Sequence, residues 1–219
     1  MKMLTVVLSF VWLAIPALQS SVPVEKEPRH HLKFENKRVR VFDVVVPPGD
    51  ETLFHTHSND YVFVMIGDAT LKAEVMGNPQ VDMLMKNGEV RYTKATITHR
   101  VKNMGNADFR NITIEILGSP VGASAQLPAI RGHTLVLEND RVRVERVLLE
   151  PGQSTGVHTH SLAGLGVSVS GGKIEIETGG QKQTSELKPG EFRWRDGAVT
   201  HSLKNVGAKR FEAVDIEWK

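Results

Sequence analysis

Two stretches of this 219-residue chain are copies of one another. Leu32 to Ser58 reads LKFENKRVRVFDVVVPPGDETLFHTHS, and Leu135 to Ser161 reads LVLENDRVRVERVLLEPGQSTGVHTHS, aligning without a gap. Glu35-Asn36 matches Glu138-Asn139, the Arg-Val-Arg-Val run at Arg38 to Val41 matches Arg141 to Val144, and Pro48-Gly49 matches Pro151-Gly152. The match resumes at Gly88-Glu89 against Gly190-Glu191, with His99 and Asn103 opposite His201 and Asn205. Repetition of this kind means one structural unit used twice. The units run over residues 30–118 and 132–219, and residues 119–131, rich in Gly, Pro, Ala and Ser, read as a linker. Inside each unit, short Val, Ile, Phe and Thr runs are separated by Gly, Pro, Asn or Asp turns; examples are Val39 to Val46, Phe109 to Leu117 and Lys173 to Thr178. No helical period follows the N-terminal segment, so the fold class is all-β, a pair of small sandwiches or barrels.

Composition narrows the chemistry. Hydrophobic residues at 40% and charged residues at 24% describe a folded body rather than a disordered chain. The net charge of +2 is spread along the sequence, so no nucleic-acid partner is expected. There is no cysteine, hence no disulfide, thiolate nucleophile or iron–sulfur cluster, and any metal must be held by nitrogen and oxygen.

Lys2 precedes an apolar run from Leu4 to Leu18, closed by Gln19-Ser20-Ser21. That order is the pattern of a secretory signal, and the run falls short of the roughly 20 residues that span a bilayer. Residues 1–21 are therefore assigned as a cleaved signal peptide and residues 22–29 as a polar tether. The chain is expected to be exported, to periplasm or extracellular space, with no stable membrane insertion once the leader is removed. An uncleaved anchor or a buried first helix is the competing reading.

Eight of the nine histidines fall at matching positions: His30 with His133, His55 with His158, His57 with His160, and His99 with His201. On a strand, residues i and i+2 share a face, so His55 and His57 can converge on one ion, as can His158 and His160. A third imidazole, His99 or His201, would complete a facial set with positions left open, the geometry of catalytic metal sites. An isolated His-x-His is most often two ordinary histidines; its recurrence with a third histidine argues for metal. His30 and His133 are read as hydrogen-bonded in a turn or lying between the barrels, and His31 is given no role.

These residues also resemble a known family. Gly49-x5-His55-Thr-His57 and Gly152-x5-His158-Thr-His160 look like the first cupin motif, and Gly88, His99, Asn103 with Gly190, His201, Asn205 look like the second. The resemblance implies a two-domain cupin (bicupin), two jelly-roll barrels each with a divalent metal near its mouth: iron, manganese, zinc, nickel or copper. It also implies a carboxylate ligand after the histidine pair. The first copy offers Asp60 at that place, as a ligand, a supporting acceptor or a surface residue; the second offers Gly164, which cannot ligate. The Pro-x-Gly turn of the second motif is altered to Lys94-Ala95-Thr96 and Asp196-Gly197-Ala198.

Arg91, Arg193 and the neighbouring Trp194 are candidate substrate contacts if their strands turn them inward, and solvated strand residues if not. The Arg-Val-Arg-Val strands are read as a solvated or edge face, and Met83 and Met85 as core filler rather than copper ligands. The favoured function is a metal-dependent oxidoreductase of the dioxygenase type acting on a small organic substrate. The alternative is a non-catalytic module binding a sugar, a small organic acid or the metal. A first barrel kept only for structure, and decarboxylation or isomerisation, stay open. Two barrels in one chain already imitate a dimer, so a monomer is expected, with a homodimer as the alternative.

Overall fold

The structure, a computed structural model, describes residues 20–118 and 129–219. The signal-like leader up to residue 19 and linker residues 119–128 lie outside the described residues. The first unit contains β1 (Val22–Pro23), β2 (His30–Glu35), β3 (Val39–Val46), β4 (His55–His57) and β5 (Tyr61–Met65). It continues with β6 (Ala69–Val75), β7 (Val81–Met85), β8 (Val90–Thr93), β9 (Ile97–Asn103) and β10 (Phe109–Ile116). The second contains β11 (His133–Glu138), β12 (Val142–Leu149), β13 (His158–His160), β14 (Gly164–Ser168) and β15 (Gly172–Thr178). Its remaining strands are β16 (Gln181–Leu187), β17 (Phe192–Arg195), β18 (Val199–Asn205) and β19 (Phe211–Trp218).

Each unit is a jelly roll of two facing sheets. In the first the orders are β1-β4-β9-β6-β7 and β2-β3-β10-β5-β8; in the second, β13-β18-β15-β16 and β11-β12-β19-β14-β17. The histidine-bearing β4 and β9 thus lie in one sheet while β2, carrying His30, comes from the opposite one, so the cluster forms between the layers. The Pro-Gly turns leading to β4 and β13 need a left-handed residue, which Gly49 (φ 77°) and Gly152 (φ 79°) supply. The motif asparagines fasten the turns at the far ends of β9 and β18. Asn103 is fully buried, donates to the carbonyls of Val46 and Ala107 at 2.8 Å each and accepts from the Gly105 amide at 2.9 Å; Asn205 repeats these bonds.

The Arg-Val-Arg-Val strands are not edges. β3 pairs with β2 and β10, and β12 with β11 and β19, so both lie inside their sheets. Val39 and Val41 meet Val142 and Val144 in an apolar layer between the barrels, which also holds Ile112, Ile114, Val214 and Ile216. Alternation then points Arg40 and Arg143 the other way, onto carboxylates: Arg40 reaches Glu35, Glu25 and Glu115, and Arg143 reaches Glu138 and Glu145. Each fully buried aliphatic of such a layer contributes about 1.5–3 kcal/mol relative to exposure. A pseudo-symmetric clasp flanks it. Arg110, paired with Asp43, donates to the Pro189 carbonyl at 3.0 Å, and Arg146 donates to the Gly88 carbonyl at 2.8 Å.

The segment read as a tether belongs to the first barrel. β1 pairs in parallel with β4, Val22 opposite His55, and a 3₁₀ turn at Val24–Lys26 buries Val24 in the barrel core beside Phe42 and Met65. One apolar residue among charges hid this in the sequence.

Candidate metal centres

Strand alternation turns His55 and His57 into the first barrel and Thr56 outward, where its hydroxyl meets that of Thr98 at 2.8 Å. The antiparallel pairing of β4 with β9 sets His55 directly opposite His99, with ring centroids 4.5 Å apart. In the second barrel His158 faces His201 in the same way, also at 4.5 Å, and Thr159 meets Thr200 at 2.8 Å on the outer face. The His158 Nε2 lies 3.1 Å from His160 Nε2 and 3.0 Å from His201 Nε2.

Each cluster has a fourth member that the sequence reading set aside. His30, on β2, brings its ring within 4.6 Å of His55 and 5.8 Å of His57; His133, on β11, lies 5.5 Å from His158 and 6.2 Å from His160. The ligand atoms of His30, His55 and His57 all fall within 4.8 Å of one another, as do those of His133, His158 and His160. Neither His30 nor His133 lies in a turn or between the barrels. The available signal was their matching position at the head of the same repeated strand.

The rings are held by one nitrogen and present the other. With Nδ1–H as donor, His55 bonds to the Leu53 carbonyl at 2.9 Å and His158 to the Gly156 carbonyl at 3.0 Å. His57 bonds to Glu115 at 3.3 Å, His160 to Glu217 at 2.9 Å, and His30 to Glu27 at 2.7 Å. This is the support that metal-ligating imidazoles receive, and it leaves the Nε2 lone pairs to converge. The Nε2 atoms of His55 and His99 are buried and have no hydrogen-bond partner among the described residues. Burial holds His55 and His57 at a pKa of about 3, His201 at about 4 and His99 well below the usual imidazole range, so these four rings are neutral at physiological pH. Orphaned, neutral nitrogen donors closing on one point fit a divalent first-row ion.

Glu115 and Glu217, which carry the second histidine of each pair, were not anticipated. Both sit at the next-to-last position of the last strand of their barrel and are almost fully buried, and that matching position in the two copies was their signal. Burial pushes Glu115 up to about 7 against the pull of Arg40.

Asp60 is engaged away from the histidines: it accepts from the Tyr92 hydroxyl and, at 2.7 Å, from the Ala95 amide. It therefore anchors the altered turn instead of offering a ligand oxygen. That turn places Thr96 in the left-handed region (φ 57°), its amide donating to the His57 carbonyl at 3.1 Å. Arg91 borders the first cavity, but its guanidinium is turned onto Glu89 at 2.7 Å. Arg193 borders the second and donates to the Ser185 hydroxyl at 2.8 Å. Trp194 packs against Phe34 and Trp218 in the layer between the barrels, while its indole N–H donates to Asp196. The arginine that reaches the histidines is Arg195, two residues along the same face. It makes a two-pronged pair with Asp215 at 2.6 and 2.8 Å, and its Nη2 lies 3.2 Å from His160 Nδ1. Burial alone would raise the Asp215 carboxyl, and the Arg195 guanidinium overrides it.

Each cluster opens on a cavity, about 380 Å³ in the first barrel and about 330 Å³ in the second. Pockets of this size hold small organic molecules.

No protein-family model matches the chain, and no curated protein matches it in sequence. Solved structures do match. AerE from Microcystis aeruginosa is similar at 12% identity and a TM-score of 0.61, over 88% of this chain and 98% of that one. Salicylate 1,2-dioxygenase from Pseudaminobacter salicylatoxidans is similar at 14% identity and a TM-score of 0.61, over 89% and 77%. Bacillus subtilis oxalate decarboxylase, described with Mn(II) centres, is similar at 11% identity and a TM-score of 0.60, over 89% and 76%. At such identities the likeness is one of fold, and it agrees with the repeated motifs and the paired jelly rolls: this chain has the fold of a two-barrel cupin.

Proposed function

We propose that the chain is an exported metal-dependent oxidoreductase of the dioxygenase type, acting on a small organic substrate beside a divalent ion held on histidine nitrogens. The observation that carries the metal reading is the clustering of imidazoles, most of them pinned at Nδ1, around the buried, unpartnered Nε2 atoms of His55 and His99. His30, His55, His57 and His99 would hold the ion in the first barrel, and His133, His158, His160 and His201 in the second. Four nitrogens leave two positions of an octahedral ion for ligands, which suits a substrate and O2 together. A bound ion would supply charge stabilisation to a substrate oxygen. Leu53, Gly156, Glu115 and Glu217 fix the ring orientations, and the apolar cavity walls exclude water. Similarity in fold to salicylate 1,2-dioxygenase, which is also described in adducts with gentisate, supports phenols and small organic acids, the two parts of such ligands, as the first substrates to try. The apolar run before Ser20 supports export.

The test is elemental analysis of residues 22–219, purified without chelators or a histidine tag, alongside His57→Ala and His160→Ala. Two equivalents of metal per chain, one lost in each variant, together with O2 uptake on addition of a phenol or a small organic acid, is the expected result. Metal content unchanged by both substitutions would overturn the assignment of the sites. Stoichiometric metal with no O2 consumed by any small organic acid, phenol or diketone would leave a binding protein in place of an enzyme.

A further inference from the structure

Because the barrels are copies, each position in one cavity has a control in the other; Asn111 and Ala73 become Ala213 and Ile176, but the wall formed by β5 and Met83 of β7 has turned from large apolar to small or polar. Where the first barrel has Phe63 and Met65 on β5, the second has Gly166 and Ser168 on β14. Where the first has Met83, the second has Ser185, already bonded to Arg193. Behind the second histidine the exchange is concerted. The first barrel places the Tyr61 ring over His57, centroids 4.1 Å apart and nearly parallel. The second has Gly164 there, and a Cβ at that glycine would overlap the Arg195 guanidinium and approach the Ile216 carbonyl to 2.7 Å. The cross-strand partner of Tyr61 is Thr93, and that of Gly164 is Arg195; Thr113 near the first cluster corresponds to Asp215 near the second. A ring and two hydroxyls on one side are thus an ion pair on the other.

We infer that the two cavities take ligands of different chemical class, the first admitting an uncharged, apolar molecule of aromatic-ring size and the second rejecting it. Away from the histidines, whose free Nε2 lone pairs only accept, the polar groups of the first wall are engaged: Thr113 donates to Asn111 at 2.7 Å, and Arg91 is neutralised by Glu89. Without a bound ion, an anionic ligand there would lose its water against Phe63, Met65, Met83 and Met85 without replacement donors. In the second cavity an apolar ring would lie beside the buried Arg195–Asp215 pair, and although Phe211, Leu187 and Ile174 line it elsewhere, β14 offers the ring only Gly166 and Ser168. The inference rests on reading these cavities as the substrate sites, but its test does not depend on turnover.

Every methionine outside the leader lies in the first barrel: Met65, Met83 and Met85 line its cavity, whereas Met76 and Met104 do not. Ile174 and Ile176 line the second. Residues 22–219, labelled at methionine and isoleucine methyl groups, would be titrated without metal with indole and separately with malonate. Saturable indole shifts at Met65, Met83 and Met85, with Met76, Met104, Ile174 and Ile176 unmoved and malonate silent at the methionines, is the expected result. Met83→Gln should then weaken indole binding by about tenfold. Indole shifts of equal affinity at Ile174 and Ile176, or no saturable shift at the methionines, would overturn the inference. A chain that binds no metal yet shows the selective shifts would fail the metal-enzyme reading and keep this one.

Discussion

A histidine offers a metal only the nitrogen that the protein has not already used, and here the used nitrogen is consistently Nδ1. Glu217→Gln keeps the bond to His160 in geometry but removes its charge. The expected outcome is metal affinity in the second barrel lower by about 10- to 100-fold, the usual effect of removing such support, with the first barrel unchanged in a competitive chelator titration. Acid should also find these residues. His55 and His57, held at about 3 by burial, bind fewer protons folded than unfolded, so their contribution to stability is present above about pH 6.5 and is lost as pH falls toward about 3. Glu115, raised to about 7 by burial, runs the other way, stabilising below its unfolded value near 4.5 and losing that contribution as pH rises to about 7. Between about pH 6.5 and 4.5 the one raised carboxylate offsets only part of the loss from His55, His57, His99 and His201, and below about 4.5 that offset ends. The urea midpoint of the metal-free protein should therefore fall from about pH 6.5 downward and go on falling, somewhat more steeply, between about pH 4.5 and 3.5. A flat midpoint across the lower interval would contradict the buried, neutral state of the rings. At this scale the sequence revealed the six motif histidines because period-two spacing and duplication mark them. It hid Arg195 because placing a strand's inward face takes a phase that one polar-aromatic stretch, Phe192–Arg195, does not supply. Arg193 and Arg195 share a face, and only Asp215, on β19 beyond the intervening β14, decides which of them reaches the cluster.

Among the elements, the glycines of the second motif do more than turn the chain. Gly190 (φ 83°) joins β16 to β17, and a Cβ there would stand 2.6 Å from the Arg110 guanidinium reaching across from the first barrel. Gly88 faces Glu212 and Arg146 in the same manner. Gly179 (φ 58°), by contrast, turns the β15–β16 hairpin with nothing within 4 Å of such a Cβ. Both Gly190→Ala and Gly179→Ala incur the left-handed penalty of about 1–2 kcal/mol, and only the former also displaces the clasp. Thermal denaturation should show a clearly larger loss for Gly190→Ala; equal losses would mean that the clasp contributes nothing. Strand positions were largely legible, because alternating Val and Ile between turn residues is a local signal. The role of Arg38 to Val41 and Arg141 to Val144 was not, since alternating Arg and Val looks the same whether valine faces water's edge or a neighbouring barrel.

For the whole molecule, the apolar layer between the barrels makes their stabilities inseparable. Eight fully or nearly fully buried residues from each barrel meet there, Val39 to Ile116 on one side and Val142 to Trp218 on the other. Without its partner either barrel would expose that face to water, so neither is expected to unfold alone, although each has an interior core around its own cavity. The chain carries independent reporters for this. Of its three tryptophans, Trp12 lies in the leader, so residues 22–219 retain only Trp194 and Trp218, both in the second barrel, while Met65, Met83 and Met85 report the first. Ile114→Ala opens a cavity in the shared layer from the first barrel's side and should cost about 2–5 kcal/mol. Followed in urea, tryptophan fluorescence and methionine methyl resonances should give one midpoint in the parent chain and one lower, still coincident midpoint in Ile114→Ala. If the fluorescence midpoint stayed at its parent value while the methionine midpoint fell, the barrels would be separate folding units joined by a linker. The duplicated sequence on its own favours that arrangement; the shared layer argues against it, because the valines and isoleucines that would face water in two isolated barrels are those that face each other here.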